Sequence, residues 1–157
     1  MKDRQFPALS HIGYIVSDLD ADIEAFKRFY GVEEFSVYDF KPMKAWAYGK
    51  EIENCYFKIA MGKAQSGIGI ELVKPMGDAA TPQHDFLKNT EGGINHICYL
   101  VEDFEEWREY LVSQPDSYVI YEAEIYDDIR GYRRCVFVRQ KGATAVIECA
   151  EIPRKNA

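Results

Sequence analysis

One phrase is written twice in this chain. HIGYIVSD begins at His11 and HICYLVED begins at His96, so His-Ile-x-Tyr-x-Val-x-Asp recurs 85 positions later. A repeat of this kind constrains the fold more than any local propensity. Each copy is a supersecondary unit that cannot bury its apolar face alone and shares a core with its twin. The ends of the copies match as well. Glu71 stands between Ile70 and Leu72 in GIELVKP, and Glu148 stands between Ile147 and Cys149 in VIECAEIP, 77 positions apart. Each half therefore opens on a strand histidine and closes on a strand glutamate.

The elements between those ends repeat in order. ALSHIGYIV reads as a strand, and Ser17 or Asp18 can cap a helix over LDADIEAFKRFYG. Ile23, Phe26 and Phe29 fall near one face of that helix, and Gly31 suits its stop. EEFSVYDF, IENCYFKIAM and GIGIELV read as three strands. In the second half GINHICYLV is a strand, and Asp103 can cap FEEWREYLV, with Phe104, Trp107, Tyr110 and Leu111 at helical spacing. SYVIYEAEI, YRRCVFVR and ATAVIECAEI complete it. Each half is strand, helix, then three strands, an α+β pattern spanning about 8–73 and 93–150. A polar linker, 74–92, joins them, with Thr81-Pro82 as a helix start inside it. At 157 residues and 47% hydrophobic, the chain suits a single domain, 1–157, of two half-domains on a common core.

Composition removes several classes of function. A net charge of −7 disfavours a nucleic-acid surface. No apolar run reaches the ~18 residues of a membrane span, and MKDRQFPALSH lacks the apolar stretch of a secretory signal. Cys55, Cys98, Cys135 and Cys149 form no CxxC pair, and three lie in strand-like apolar runs. They read as reduced core residues of a cytoplasmic protein.

A glutamate in IGIELV or AVIECA sits where burial is expected. An isolated buried carboxylate is costly and takes up a proton instead. A cation partner removes that cost. Two neutral imidazoles and two carboxylates supply four N/O donors with net charge −2. That set fits a divalent ion of the Zn, Ni, Co, Mn or Fe type. Packed with pseudo-two-fold symmetry, the halves would bring His11, Glu71, His96 and Glu148 together on the axis. His84, in TPQHDF, lies outside the repeat and reads as a loop residue.

The segments SHIGYIVSDLDADIEAFKRFYG, GIELVKP, GINHICYLVEDFEEW and VIECAEIP together resemble the vicinal oxygen chelate superfamily, the glyoxalase, bleomycin-resistance and dioxygenase group. The resemblance covers nearly the whole chain. It implies two βαβββ modules forming a cupped mixed sheet around a metal held by His11, Glu71, His96 and Glu148. It also implies a homodimer, in which modules of some relatives pair across chains. The passage IELVKPMGDAATPQHDFLKNTEGGINHICYLVED looks most like the methylmalonyl-CoA epimerase family, above all in FLKNTEGGINHICY. That family usually has glutamine where this chain has Glu71, whereas bacterial-type glyoxalase I has glutamate. The run EIYDDIRGYRRCVFVRQKGATAVIEC also lacks the glycine-rich approach to the last strand expected of an ordinary epimerase.

The resemblance thus implies a metal-dependent epimerase or isomerase that removes an α-proton from an acyl-CoA-type small molecule and passes through a metal-stabilised enolate. Glu148 is one candidate acid/base. The other is Glu71, in a glyoxalase-like arrangement, or Glu53, which lies where the epimerases carry a catalytic glutamate on the third strand, with Glu51 as its rival. Glyoxalase I chemistry on a hemithioacetal is the second reading. An Fe(II) dioxygenase using His11, His96 and Glu148 is the third, and a non-catalytic binding or resistance protein the fourth. Arg133 and Arg134 alternate across a strand, so at most one points into the cup, where it can pair with a carboxylate or phosphate. Trp46 and Phe57 suit either the pocket wall or the core.

Overall fold

The structure, a computed structural model, describes residues 4–153. Its elements run β1 (Leu9–Ile15), α1 (Leu19–Tyr30), β2 (Phe35–Phe40), β3 (Lys44–Ala47), β4 (Lys50–Ile52), β5 (Tyr56–Lys63) and β6 (Gly69–Met76). Then come α2 (Pro82–Asn89), β7 (Gly93–Val101), α3 (Phe104–Ser113), β8 (Ser117–Asp127), β9 (Gly131–Gln140) and β10 (Val146–Glu151). The ten strands form one mixed sheet in the order β2-β5-β6-β1-β7-β10-β9-β8-β3-β4. β1 and β7, the two strands that carry the repeated phrase, pair antiparallel at its centre.

The sheet is strongly curled. Phe57 on β5 and Tyr121 on β8 have five strands between them, a span of ~29 Å in a flat sheet, yet their ring centroids are 6.1 Å apart. Alternation of side chains across the curled sheet divides the core in three. The interior of the cup holds Ile15, Phe57, Ile59, Val73, Tyr121 and Phe137, among others. Outside it, Leu19 and Phe26 of α1 cover Ile70 and Leu72. Phe104, Trp107 and Leu111 of α3 cover Val136, Val138 and Cys149. This is why apolar residues flank Glu71 in GIELV and Glu148 in VIECA without strict alternation: both faces of these strands are largely buried.

The two βαβββ modules expected from the repeat are present, with an addition. Between β2 and β5 the first module carries the hairpin β3–β4, and β3 pairs with β8 of the second module. The chain leaves one edge strand, β2, and three residues later begins β3 beside the opposite end of the cup. The run IENCYFKIAM is therefore not one strand. β4 ends at Ile52, Asn54 takes a positive φ of 55°, and β5 begins at Tyr56. No periodicity in 44–55 announces a short hairpin whose partner strand lies some 80 residues downstream.

Local signals at the helix ends hold. Asp18 accepts from the Ala21 N–H at 3.0 Å, and Gly31 closes α1 with φ 68°. Thr81 accepts from the His84 N–H at 3.2 Å, starting α2. Two expectations shift. Phe29, placed near the buried face of α1, is 74% exposed: at about 100° per residue it lies at the margin of the stripe set by Leu19, Ile23 and Phe26. His84 lies in α2 rather than a loop, its Nδ1 2.8 Å from Thr81 Oγ1 and its Nε2 3.2 Å from the Gly77 carbonyl. All four cysteines are buried and free. Among the described residues, no helix is long and apolar enough to cross a membrane.

Candidate metal centre

The central β1/β7 ladder carries two bulges. Pairing steps from Leu9–Tyr99 to His11–Cys98, leaving Ser10 as the extra residue, and from Gly13–His96 to Tyr14–Ile94, leaving Asn95. Each bulge directly precedes a histidine. A bulge bends its strand and re-aims the neighbouring side chain, and here both histidines are aimed inward. The ladders then supply the carboxylates. Glu71 on β6 pairs with Gly13, which pairs with His96; Glu148 on β10 pairs with Cys98, which pairs with His11. Directly opposed residues share a face, so each glutamate reaches across one strand to the other module's histidine.

The four side chains meet as the repeat anticipates. His96 Nε2 lies 3.1 Å from Glu71 Oε2 and 3.3 Å from Glu148 Oε2. His11 Nε2 lies 3.5 Å and 3.4 Å from the same two oxygens. One donor atom from each residue falls within 4.8 Å of all the others, and all four residues are buried. Donors bound to one ion at ~2.1 Å stand roughly 3–4.2 Å apart, so a small rotamer adjustment satisfies a metal.

The donor chemistry fits an ion independently of that spacing. His11 Nε2 and Glu148 Oε2 are buried with no hydrogen-bond partner, and a buried polar atom left unpaired costs ~1–3 kcal/mol. Both point at the place where a cation would satisfy them. The Nδ1 atoms are turned outward. Asn95 Oδ1 is 3.1 Å from His96 Nδ1, and Ser10 Oγ is 3.4 Å from His11 Nδ1. A carboxamide oxygen only accepts, so this contact favours a proton on Nδ1 of His96 and leaves Nε2 as the nitrogen that an ion would take in exchange for its proton.

Two buried carboxylates make this a place that favours positive charge. Burial alone would lower both imidazole pKa values, yet the Glu148 and Glu71 carboxylates raise His11 to about 10 and His96 to about 9. Burial pushes both carboxyls up, and the two histidines outweigh it and hold them below their ordinary range.

The centre opens into a cavity of about 530 Å³. Its wall includes the apolar Ile15, Phe57, Tyr121 and Phe137 together with Tyr38, Arg130 and Arg133. Glu53 is not brought here. It is exposed in the bend between β4 and β5, away from the cavity wall, and Glu51 on β4 is exposed too. The inward positions of β5 are Phe57, Ile59, Met61 and, at its end, Lys63, so that strand offers no carboxylate. Phe57 lines the cavity, whereas Trp46 faces a separate surface cleft beside α3. Ser10, Asn95, Gly13 and Tyr38 are the residues that sequence reasoning passed over. A polar residue before each repeated histidine, Ser-His and Asn-His, was the available signal for the first two.

A sequence model of the Glyoxalase/Bleomycin resistance protein/Dioxygenase superfamily matches residues 10–121. The chain belongs to this superfamily. No curated protein matches it significantly in sequence. Among solved structures of the superfamily fold it is similar to methylmalonyl-CoA epimerase from Mycobacterium tuberculosis, with 21% identity over 99% of this chain and 93% of that one and a TM-score of 0.67. It is also similar to a variant methylmalonyl-CoA epimerase from Streptomyces coelicolor in complex with 2-nitronate-propionyl-CoA, with 19% identity, 96% and 100% coverage and a TM-score of 0.64. A variant 4-hydroxymandelate synthase from Streptomyces coelicolor shares 15% identity over 97% of this chain and 50% of that one, with a TM-score of 0.60. Identities this low speak to the shared fold.

Proposed function

We propose that the protein is a metal-dependent isomerase or epimerase that moves a proton on a carbon next to a carbonyl, with acyl-CoA-type thioesters as its substrate class. The observation that carries this is the convergence of Glu71 and Glu148 with two histidine Nε2 atoms in the wall of one cavity. A divalent ion held by His11, Glu71, His96 and Glu148 would supply Lewis acidity toward the substrate's carbonyl oxygen, easing loss of the adjacent proton. Glu148 takes that proton, and Glu71, from the neighbouring module, returns one. Phe57, Ile59 and Phe137 keep water away from the carboxylates, which strengthens their charge interactions. Glu53, facing solvent, has no part in the proposal. The homodimer implied by the resemblance belongs to the same reading, and sedimentation velocity is its check.

A glyoxalase-type isomerase is the second reading. It is favoured by the apolar inner face of β5, which leaves Glu71 and Glu148 as the pair of bases. One experiment tests both. Protein stripped and reloaded in turn with Co, Ni, Zn, Mn or Fe is incubated in deuterium oxide with acyl-CoA thioesters and hemithioacetals. Proton NMR follows the α-proton, and an oxygen electrode runs in parallel. Metal-dependent loss of the α-proton signal is expected. Oxygen uptake without exchange would move the protein to the dioxygenases, and neither signal would leave a binding protein.

A further inference from the structure

The chain carries a net charge of −7, yet Arg130 and Arg133 both line its cavity. Arg133 shares the inward face of β9 with Cys135 and Phe137, both members of the interior core. Arg134 borders the cavity too, but its guanidinium lies 4.5 Å over the Phe104 ring and is paired with Glu151 and Glu105. Arg133 is held in place from one side only. Its Nη1 donates to Asp127 Oδ2 at 2.6 Å and reaches the Gly131 carbonyl at 3.5 Å. Nε and Nη2 make no hydrogen bond among the described residues.

The charge there does not cancel. Arg130 also pairs with Asp127, at 3.2 Å, so two guanidinium groups share one carboxylate. Arg130 lies 5.7 Å over the Tyr38 ring, and Tyr38 lines the same cavity. Burial, with the Glu71 charge behind it, pushes the Tyr38 phenol up to about 12. It therefore keeps its proton and can donate. A side chain only 12% exposed, fixed at one nitrogen and presenting its other donors to a cavity, is the arrangement that receives a planar or tetrahedral oxyanion.

We propose that Arg133, with Tyr38 beside it, anchors an anionic oxyacid group of the substrate, a carboxylate or a phosphate, and so sets which acids or thioesters enter. The substrate class rests on the isomerase reading above, but the anchor is read by binding and needs no turnover. Metal-loaded protein and its Arg133→Gln and Arg133→Lys variants are titrated by calorimetry with malonyl-CoA, propionyl-CoA and malonyl-pantetheine. Metal content and thermal melts verify that each variant is loaded and folded.

Arg133→Gln should weaken malonyl-CoA about 10- to 100-fold, the range of a lost charge-assisted pair. If the acyl carboxylate is the ligand, malonyl-pantetheine weakens equally and propionyl-CoA is unaffected. If a phosphate is the ligand, both CoA esters weaken and the pantetheine ester does not. Parent-level affinity of Arg133→Gln for all three, or no binding of any probe to the parent, overturns the proposal. Should Arg133→Gln fold poorly, Arg133→Lys decides. It keeps the charge and the pair with Asp127 but loses the two-donor edge, and parent-level affinity there overturns the proposal too. Arg133-dependent binding without α-proton exchange would retain the anchor and remove the isomerase reading. Exchange with binding indifferent to Arg133 would do the reverse.

Discussion

Gly13 lies directly opposite His96 in the β1/β7 ladder, and the imidazole occupies the space a side chain at position 13 would need. A Cβ built on Gly13 would stand 2.0 Å from both Cε1 and Nε2 of His96. Gly13→Ala should therefore displace the ring that points at the centre. Overpacking of this kind costs ~1–3 kcal/mol, which at this chain length lowers the melting temperature by roughly 2–12 °C. Metal content, by inductively coupled plasma mass spectrometry, should drop with it. A variant that melts and loads like the parent would show that the ring has room to move.

Asn95 turns the His96 ring through its contact with Nδ1. Loss of such an orienting partner typically costs 10–100-fold in metal affinity (about this range). Asn95→Ala should show that loss in competition with a chromophoric chelator. Ser10→Ala should lose less, since its contact with His11 is longer, at 3.4 Å. Equal affinity of Asn95→Ala and the parent would remove the orienting role.

The metal and protons compete for the same two nitrogens. Without an ion, the Glu148 and Glu71 carboxylates raise His11 to about 10 and His96 to about 9, so both should carry protons at pH 7. Binding a divalent ion there should release close to two protons, a number that declines toward zero above roughly pH 10 as the imidazoles become neutral unaided. Stability follows the same logic. The raised imidazole values stabilise the stripped protein fully below about pH 6.5, their unfolded value, and that contribution fades as pH rises through 9 to 10. The lowered glutamate values stabilise it above about pH 4.5, and that contribution is lost as pH falls through their folded values. Stripped protein should thus be most stable between about pH 4.5 and 6.5, with stability declining on either side. Calorimetry in buffers of different ionisation enthalpy counts the protons, and release of none would place the ion elsewhere.

Glu148→Gln separates ligation from proton transfer. The amide oxygen can still reach an ion, so metal binds more weakly but measurably. The basic carboxylate is gone, and a positioned general base is worth ~10²–10⁴-fold. At equal metal occupancy, α-proton exchange should fall by that factor. Exchange at the parent rate would leave Glu148 a ligand only and shift proton transfer to Glu71.

Much of the centre was legible because duplication writes it twice. A histidine at the start and a glutamate at the end of each half, at nearly equal offsets, mark one geometry copied with small loop changes. Strand alternation then assigns faces: Glu71 inward follows once Ile70 and Leu72 are needed outward against α1. Helix starts and stops at Asp18, Gly31 and Thr81 were readable for the same reason, since capping chemistry acts over three or four residues.

What tertiary structure alone decided lies in contacts between distant strands. The pairing of β3 with β8 depends on where the curled sheet brings its two edges, and nothing within Lys44–Ala47 encodes the position of Tyr121–Glu124. Asn54 turns the chain with a positive φ and Glu53 beside it is exposed, so a carboxylate that the likeness to the epimerases assigned to the cavity does not line it. The need for glycine at position 13 exists only because a bulge at Asn95, on another strand, aims His96 across it. Local periodicity reports which face a residue takes; the curvature and register of the whole sheet determine what stands on the other side.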